Sequence, residues 1–256
     1  MDAIQLMGVR LDGLTNSQVL ERIREGMRSR TGGWVVTANL DILRQASADR
    51  AAGELVREAD IVVADGTPVV WASMLQGTPV PERVAGSDLT WTSSRVAAEE
   101  GVPVFLLGGN EGAAEGAAAR LIEQYPSLRV AGTACPEFGF EDDPQRVQAL
   151  SNAVYESDAG LVLVGLGFPK QERLIRELRR LRPEAWYVGV GISFSFITEE
   201  FRRAPRWMQR SGLEWVHRML QEPRRLTHRY IWQGLPFAMR LLGGALRRRL
   251  THGRSG

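Results

Sequence analysis

Apolar positions along this chain fall into two patterns. Continuous runs recur at Trp34-Val35-Val36-Thr37, Ile61-Val62-Val63-Ala64, Pro103-Val104-Phe105-Leu106-Leu107, Val130-Ala131-Gly132-Thr133, residues 161–166 and Trp186-Tyr187-Val188-Gly189-Val190. Runs this short and this apolar read as strands buried on both faces. Between them, apolar residues return every three or four positions, which predicts helices. The first is capped at Thr15-Asn16-Ser17 and runs to about Arg28, with Val19, Leu20, Ile23 and Met27 on one face. Others are predicted over 41–59 (with a break near Gly53), 68–75, 88–100, 111–124, 144–157 and 169–181. Residues 3–11 read as a short strand pair or edge strand.

Strands alternating with helices at these lengths predict an α/β fold. It is a Rossmann-like, mostly parallel sheet with helices on both faces. The pattern changes near residue 200. Residues 1–200 are expected to form one Rossmann-like domain, and 201–256 a basic helical appendage rich in aromatic residues, with 212–220 helical and 226–250 interrupted by Pro236 and Gly243-Gly244.

The strand 61–64 ends abruptly in Asp65-Gly66-Thr67-Pro68. Thr67 suits an N-cap and Pro68 a first helical position. In open α/β sheets, ligands sit outside the carboxyl ends of the strands, so Asp65 would stand at the mouth of a site. A carboxylate there either takes a proton from a hydroxyl or holds a sugar hydroxyl. The alternative is an acid that only satisfies turn amides.

Charge changes this picture at the far end. Net charge over the 256 residues is +2, but residues 202–256 carry thirteen arginines, no lysine and two acids, a net +11. The rest of the chain is net −9. Arginine with Trp207, Trp215 and Trp232 on amphipathic segments suits an anionic membrane surface; a helical hairpin packed on the domain with a solvated arginine face is the alternative. The basic patch comes without any helix-turn-helix, zinc or RNA-binding signature, so no nucleic-acid partner is expected. Cys135 is the only cysteine, which excludes an intrachain disulfide and a CxxC knuckle. No signal peptide is read at the N-terminus, and no apolar run is long enough to span a membrane.

The other strand ends offer Thr37 and Asn39, Gly108-Gly109-Asn110, and Gly165-Leu166-Gly167 followed by Lys170-Gln171-Glu172. Helix N-termini at such ends present free amides to phosphate. Gly108-Gly109 either allows close backbone approach to a ligand or makes a tight turn. Lys170 is the only lysine, at a helix start where the dipole opposes it, so it needs a phosphate, a carboxylate ligand or a neighbouring acid. Arg83 lies in a Pro/Gly loop, where it could clamp a diphosphate or stay solvated. There is no DxD pair, HExxH, Walker A loop or GxSxG elbow. No metal and no cofactor are predicted; any phosphate charge would be offset by amides and arginines.

Taken together, several stretches resemble the WecG/TagA/CpsF glycosyltransferases. They are Thr37-Ala38-Asn39-Leu40-Asp41, Ala64-Asp65-Gly66 through Trp71, Glu82-Arg83-Val84-Ala85-Gly86-Ser87-Asp88-Leu89 and residues 105–109. Further along come Gly165-Leu166-Gly167-Phe168-Pro169-Lys170-Gln171-Glu172, Gly189-Val190-Gly191, Arg203-Ala204-Pro205, Gly212-Leu213-Glu214-Trp215 and Glu222-Pro223-Arg224-Arg225-Leu226. The resemblance implies inverting transfer of a sugar from a UDP-sugar donor to a polyprenyl-diphosphate-linked acceptor at the inner face of the cytoplasmic membrane. N-acetylmannosamine, its uronic acid and glucose are the sugars such proteins move. It also implies Asp65 as general base, Thr37, Asn39, Arg83 and Gln171 lining the site, and Arg218 and Arg225 brought by the appendage towards the diphosphates. Self-association or membrane contact is expected before full activity. A non-catalytic UDP-sugar-binding protein at the membrane surface is the other reading, because Ser195 stands where similar proteins usually carry an acid, and serine cannot be an anion.

Removing residues 202–256 is predicted to lower turnover by about a hundredfold, the usual cost of misplacing reacting groups. UDP release measured on the truncated chain checks this; unchanged release would remove the appendage from the reaction.

Overall fold

The computed structural model describes residues 4–201, 204, 205, 207, 208 and 213–252, the side chains of Arg225 and His252 excepted. Six parallel strands form the central sheet: β3 (Gly33–Ala38), β4 (Ile61–Ala64), β5 (Val104–Gly108), β6 (Val130–Ala134), β7 (Leu161–Gly165) and β8 (Trp186–Gly189), in the order β4-β3-β8-β7-β5-β6. A separate antiparallel hairpin, β1 (Ile4–Leu6) and β2 (Val9–Leu11), packs beside it. The fold is the Rossmann-like α/β sheet that the apolar runs predict.

Both faces of the sheet are covered, which is why its strands are apolar throughout. Trp34, Val36, Val62, Phe105 and Val162 join one core with α2 (Leu40–Ala48), α3 (Arg50–Glu58), α4 (Thr67–Gln76), α7 (Pro144–Glu156) and α8 (Lys170–Leu181). Val35, Val63, Leu106, Leu163 and Val188 join the other with α1 (Asn16–Ser29), α5 (Gly86–Glu100), α6 (Ala113–Gln124) and the short α9 (Ser193–Ile197).

Several boundaries differ from expectation for local reasons. The break in 41–59 falls at Asp49, not Gly53. Asp49 is extended and caps α3 by accepting the Ala51 amide, whereas Gly53 lies within α3, where a Cβ would come 2.7 Å from the Ala46 carbonyl oxygen. Gly53 is therefore a packing glycine. Gly66, at φ +87°, takes the cap position assigned to Thr67. Helix α5 starts at Gly86, two residues earlier than Asp88.

The chain after β8 continues through α10 (Glu214–Gln221), α11 (Pro223–Thr227), a π-helical segment His228–Gly234 and α12 (Leu235–His252). Pro236 does not interrupt it. Proline lacks an amide, and the wide π turn lies where its i−4 hydrogen bond would have been. Helix α12 lies against α4, and its Phe237, Leu241 and Ala245 are buried in the first core. Arg229 Nη2 bonds Asp41 Oδ2 at 2.6 Å, and Arg248 Nη1 donates to the Gln5 carbonyl at 3.1 Å. The end of the chain is thus seated on α2, α4 and the hairpin by apolar burial and charge together.

Leu241→Ala should weaken that seating by about 2–5 kcal/mol, the range for truncating a buried leucine. Hydrogen exchange is expected to speed up across 223–252 before it does in β5 or β7.

Candidate active site

The carboxyl ends of β3, β4 and β8 meet the first turn of α5. Asp65 follows β4, and its amide donates to the Ala38 carbonyl at 3.0 Å. The loop after α4 runs back along the same strand end: Val84 N–H bonds the Ala64 carbonyl at 2.9 Å, which carries Arg83 alongside Asp65. Glu82 pins this loop from below by accepting the Asn16 amide at 2.9 Å. Gly86 opens α5 so close to the strands that a Cβ there would lie 3.1 Å from Thr37 Oγ1 and 3.3 Å from Val190 Cα. That approach lets the Gly86 amide reach the Asp65 carboxylate.

Burial raises the Asp65 carboxyl from 3.8 to about 6. The Arg83 guanidinium and the Gly86 amide oppose this rise, while the charges of Glu214 and Asp88 add to it. Arg83 Nη1 donates to Glu214 Oε2 at 3.1 Å, and both side chains are about three-quarters buried. Helix α10 therefore reaches the site through an acid.

Thr37 is buried and donates to the Gly189 carbonyl at 3.3 Å. Asn39 caps α2, its Oδ1 accepting the Asp41 and Ile42 amides at 3.0 and 3.1 Å. Its Cβ lies 3.9 Å from the Cβ position of Gly66, beside Asp65. Thr37, Asn39, Asp65 and Arg83 thus form one cluster.

A second group lies across β8. Gly109 N–H bonds the Gly165 carbonyl at 2.8 Å, and a Cβ on Gly108 would stand 2.5 Å from the same oxygen. Gly108 and Gly165 let the ends of β5 and β7 touch. Gln171 is buried and ties the neighbouring loops together: its Oε1 accepts the Gly167 and Gly191 amides at 3.2 and 3.3 Å, and its Nε2 donates to Glu172 at 2.8 Å.

Four further candidates remain: Lys170, Arg218, Arg225 and Ser195. Lys170 pairs with Glu141 and sits 4.4 Å from the Phe138 ring centre. Arg218 stacks its guanidinium 5.6 Å from the Phe196 ring centre. The Arg225 side chain is outside the described residues. Ser195 is buried within α9.

Glu214, Gly86 and Glu172 lie at the candidate site although sequence reasoning gave them no role. Glu214 and Gly86 sit within stretches that carry the family resemblance, but a helix-start acid and a glycine have ordinary explanations there. Glu172 is fully buried, its Oε2 has no hydrogen-bond partner among the described residues, and desolvation lifts it to about 7. In the sequence it looks like an acid stabilised by the dipole of α8.

A carboxyl raised towards neutrality beside a guanidinium, at the carboxyl ends of parallel strands, is the arrangement an acid–base site on this fold uses. The chain belongs to the glycosyl transferase WecG/TagA/CpsF family, whose family model matches residues 4–251. It is a glycosyltransferase.

Between pH 4.5 and about 7, the folded chain keeps a proton on Glu172 that the unfolded chain has released. Folding stability from this group therefore falls as pH rises through that window. Glu172→Gln is expected to be more stable than the parent at about pH 8, with the difference gone by about pH 4. Urea midpoints at the two pH values check it.

Proposed function

We propose that the chain transfers a sugar, N-acetylmannosamine or its uronic acid, from a UDP-sugar to a polyprenyl-diphosphate-linked saccharide, with inversion. The Asp65 carboxyl, raised to about 6 at the meeting of three strand ends, is the observation that carries the reading. A base is most effective when its pKa lies near the working pH. The ionised carboxylate takes the proton of the acceptor hydroxyl as its oxygen bonds to the anomeric carbon. The bond from that carbon to the UDP oxygen breaks on the opposite side, which inverts the centre. Arg83 and arginines of the appendage offset the charge that builds on departing UDP. Gly108, Gly109 and Gln171 shape the neighbouring floor, and Thr37 and Asn39 its wall.

A lipid-linked acceptor requires the site to meet a membrane. Supporting this, Trp207, Leu220, Trp232, Leu235 and Met239 are exposed on segments rich in arginine. Apolar side chains beside arginine suit the headgroup region of an anionic bilayer. Among the described residues no helix is long and apolar enough to cross a membrane, so contact would be peripheral.

Turnover should rise with pH through about 6 as Asp65 ionises. Asp65→Asn is expected to lower kcat by about 10²–10⁴-fold, the usual worth of a general base, while UDP binding changes little. The assay is UDP release from a panel of UDP-sugars with a short-chain polyprenyl-diphosphate-GlcNAc acceptor in detergent, with calorimetry for UDP affinity. Undiminished release by the variant would remove Asp65 from the base role; release with one donor names the sugar.

A further inference from the structure

Asp65 does not face Arg83 alone. Among the described residues, the charged groups acting on it come from three elements: Arg83 on the loop after α4, Asp88 in the first turn of α5, and Glu214 at the start of α10. Arg83 and Glu214 are bonded at 3.1 Å, so the guanidinium beside the base is held by an acid from the far end of the chain, 131 residues away in sequence. An acid in the first turn of a helix is favoured by the helix dipole alone. The dipole does not explain why this carboxylate is turned onto Arg83 and enclosed to about a fifth of its free exposure.

Arg83 is a cation within interaction range of two carboxylates. A guanidinium that closed fully on Asp65 would form a strong ion pair and leave Asp65 a poor proton acceptor. A guanidinium held from the other side still supplies positive charge to the crevice and leaves the Asp65 oxygens open to a hydroxyl. Glu214 has the position and the charge to make that difference. It belongs to the appendage, so it is in place only when α10 is seated over the site.

We propose that Glu214 is a positioning residue for the transfer reaction: by holding the Arg83 guanidinium from the appendage side, it keeps Arg83 from pairing with Asp65 and leaves the Asp65 carboxylate free to accept the acceptor's proton. The proposal rests on the reading of Asp65 as the base. It ties base strength to seating of the appendage, so that Asp65 is fully competent only when the site is covered. Arg83 keeps unused N–H donors on this arrangement, and those remain available to a phosphate oxygen.

Two effects of Glu214→Gln act in the same direction on Asp65. The variant removes a negative charge that raises its pKa, and it loosens a competitor for the cation that lowers it. The glutamine can still accept a hydrogen bond from Arg83, so α10 keeps its contact. The Asp65 titration midpoint, followed by carbon-13 NMR of the carboxyl in the full chain, is expected to fall by about one pH unit. The acid limb of the kcat profile moves down with it, plateau kcat falls about threefold through the weaker base, and donor KM stays within about twofold. Glu214→Asp keeps the charge and holds the midpoint high. In the Arg83→Gln background, adding Glu214→Gln is expected to move the midpoint and kcat less than it does in the parent, because the cation it would release is already gone and only the direct charge of Glu214 remains. A midpoint and an acid limb unmoved by Glu214→Gln would overturn the proposal and leave Glu214 a docking contact. If Asp65→Asn is inactive while Glu214→Gln behaves as the parent, only the Glu214 proposal falls. If Asp65→Asn retains turnover, the base reading falls, and the proposal with it.

Discussion

Where the first turn of α5 meets the ends of β3 and β8, a side chain at its first residue would be tightly crowded. A Cβ on Gly86 would press on Thr37 Oγ1, on Val190 Cα and, at 3.4 Å, on the Gly189 carbonyl. Seating the helix this deep brings the Gly86 amide to the Asp65 carboxylate and Asp88 close behind it. The same economy of side chains governs the other strand ends. Gly108, Gly165 and Gly189 let β5, β7, β8 and the Gln171–Glu172 pair approach at distances a Cβ would forbid. The strand ends therefore meet through close backbone contacts that glycine permits, with the candidate side chains beside them.

At these strand ends the electrostatics are a balance between burial and charge. Desolvation is the largest influence on Asp65 and on Glu172, and it raises both. The difference between them lies in their neighbours. Among the described residues, Asp65 has a cation and two acids within reach, so its affinity for a proton can be adjusted by what approaches. Among the same residues Glu172 has the Gln171 amide and its own backbone amide, so it remains a fixed element that orients Gln171 between two loops. On the proposed reading, one buried carboxyl reacts and the other holds geometry.

The contrast between an acidic body and a basic end takes on a specific meaning in this arrangement. The +11 segment does not approach the body through its arginines alone: its acid Glu214 is the group that meets the cation of the crevice, while Arg229 pairs with Asp41 at the start of α2. Trp215 packs edge-on against Tyr230, 6.2 Å between ring centres, which fastens α10 to the segment that Arg229 anchors. Apolar burial of Phe237, Leu241 and Ala245 completes the attachment. Its most exposed tryptophans, Trp207 and Trp232, stay on the surface beside the arginines.

The order of strands and helices was legible in the sequence because a parallel sheet covered on both faces needs continuous apolar runs, and those runs are local. Asp65 was legible for the same reason, as the acid that ends such a run before a glycine. Arg83, Thr37 and Gln171 could be named because they sit in stretches whose joint order is specific to a family. What no stretch could show was contact between distant segments. Gly53 reads as a helix break until Ala46 is seen against it, and nothing near Lys170 in sequence shows that Glu141 pairs with it. Glu214 is an ordinary helix-start acid until the chain folds it onto Arg83. Local pattern determines which element forms and where it ends; which charges meet depends on the packing of elements far apart in sequence, and only the tertiary structure decides that.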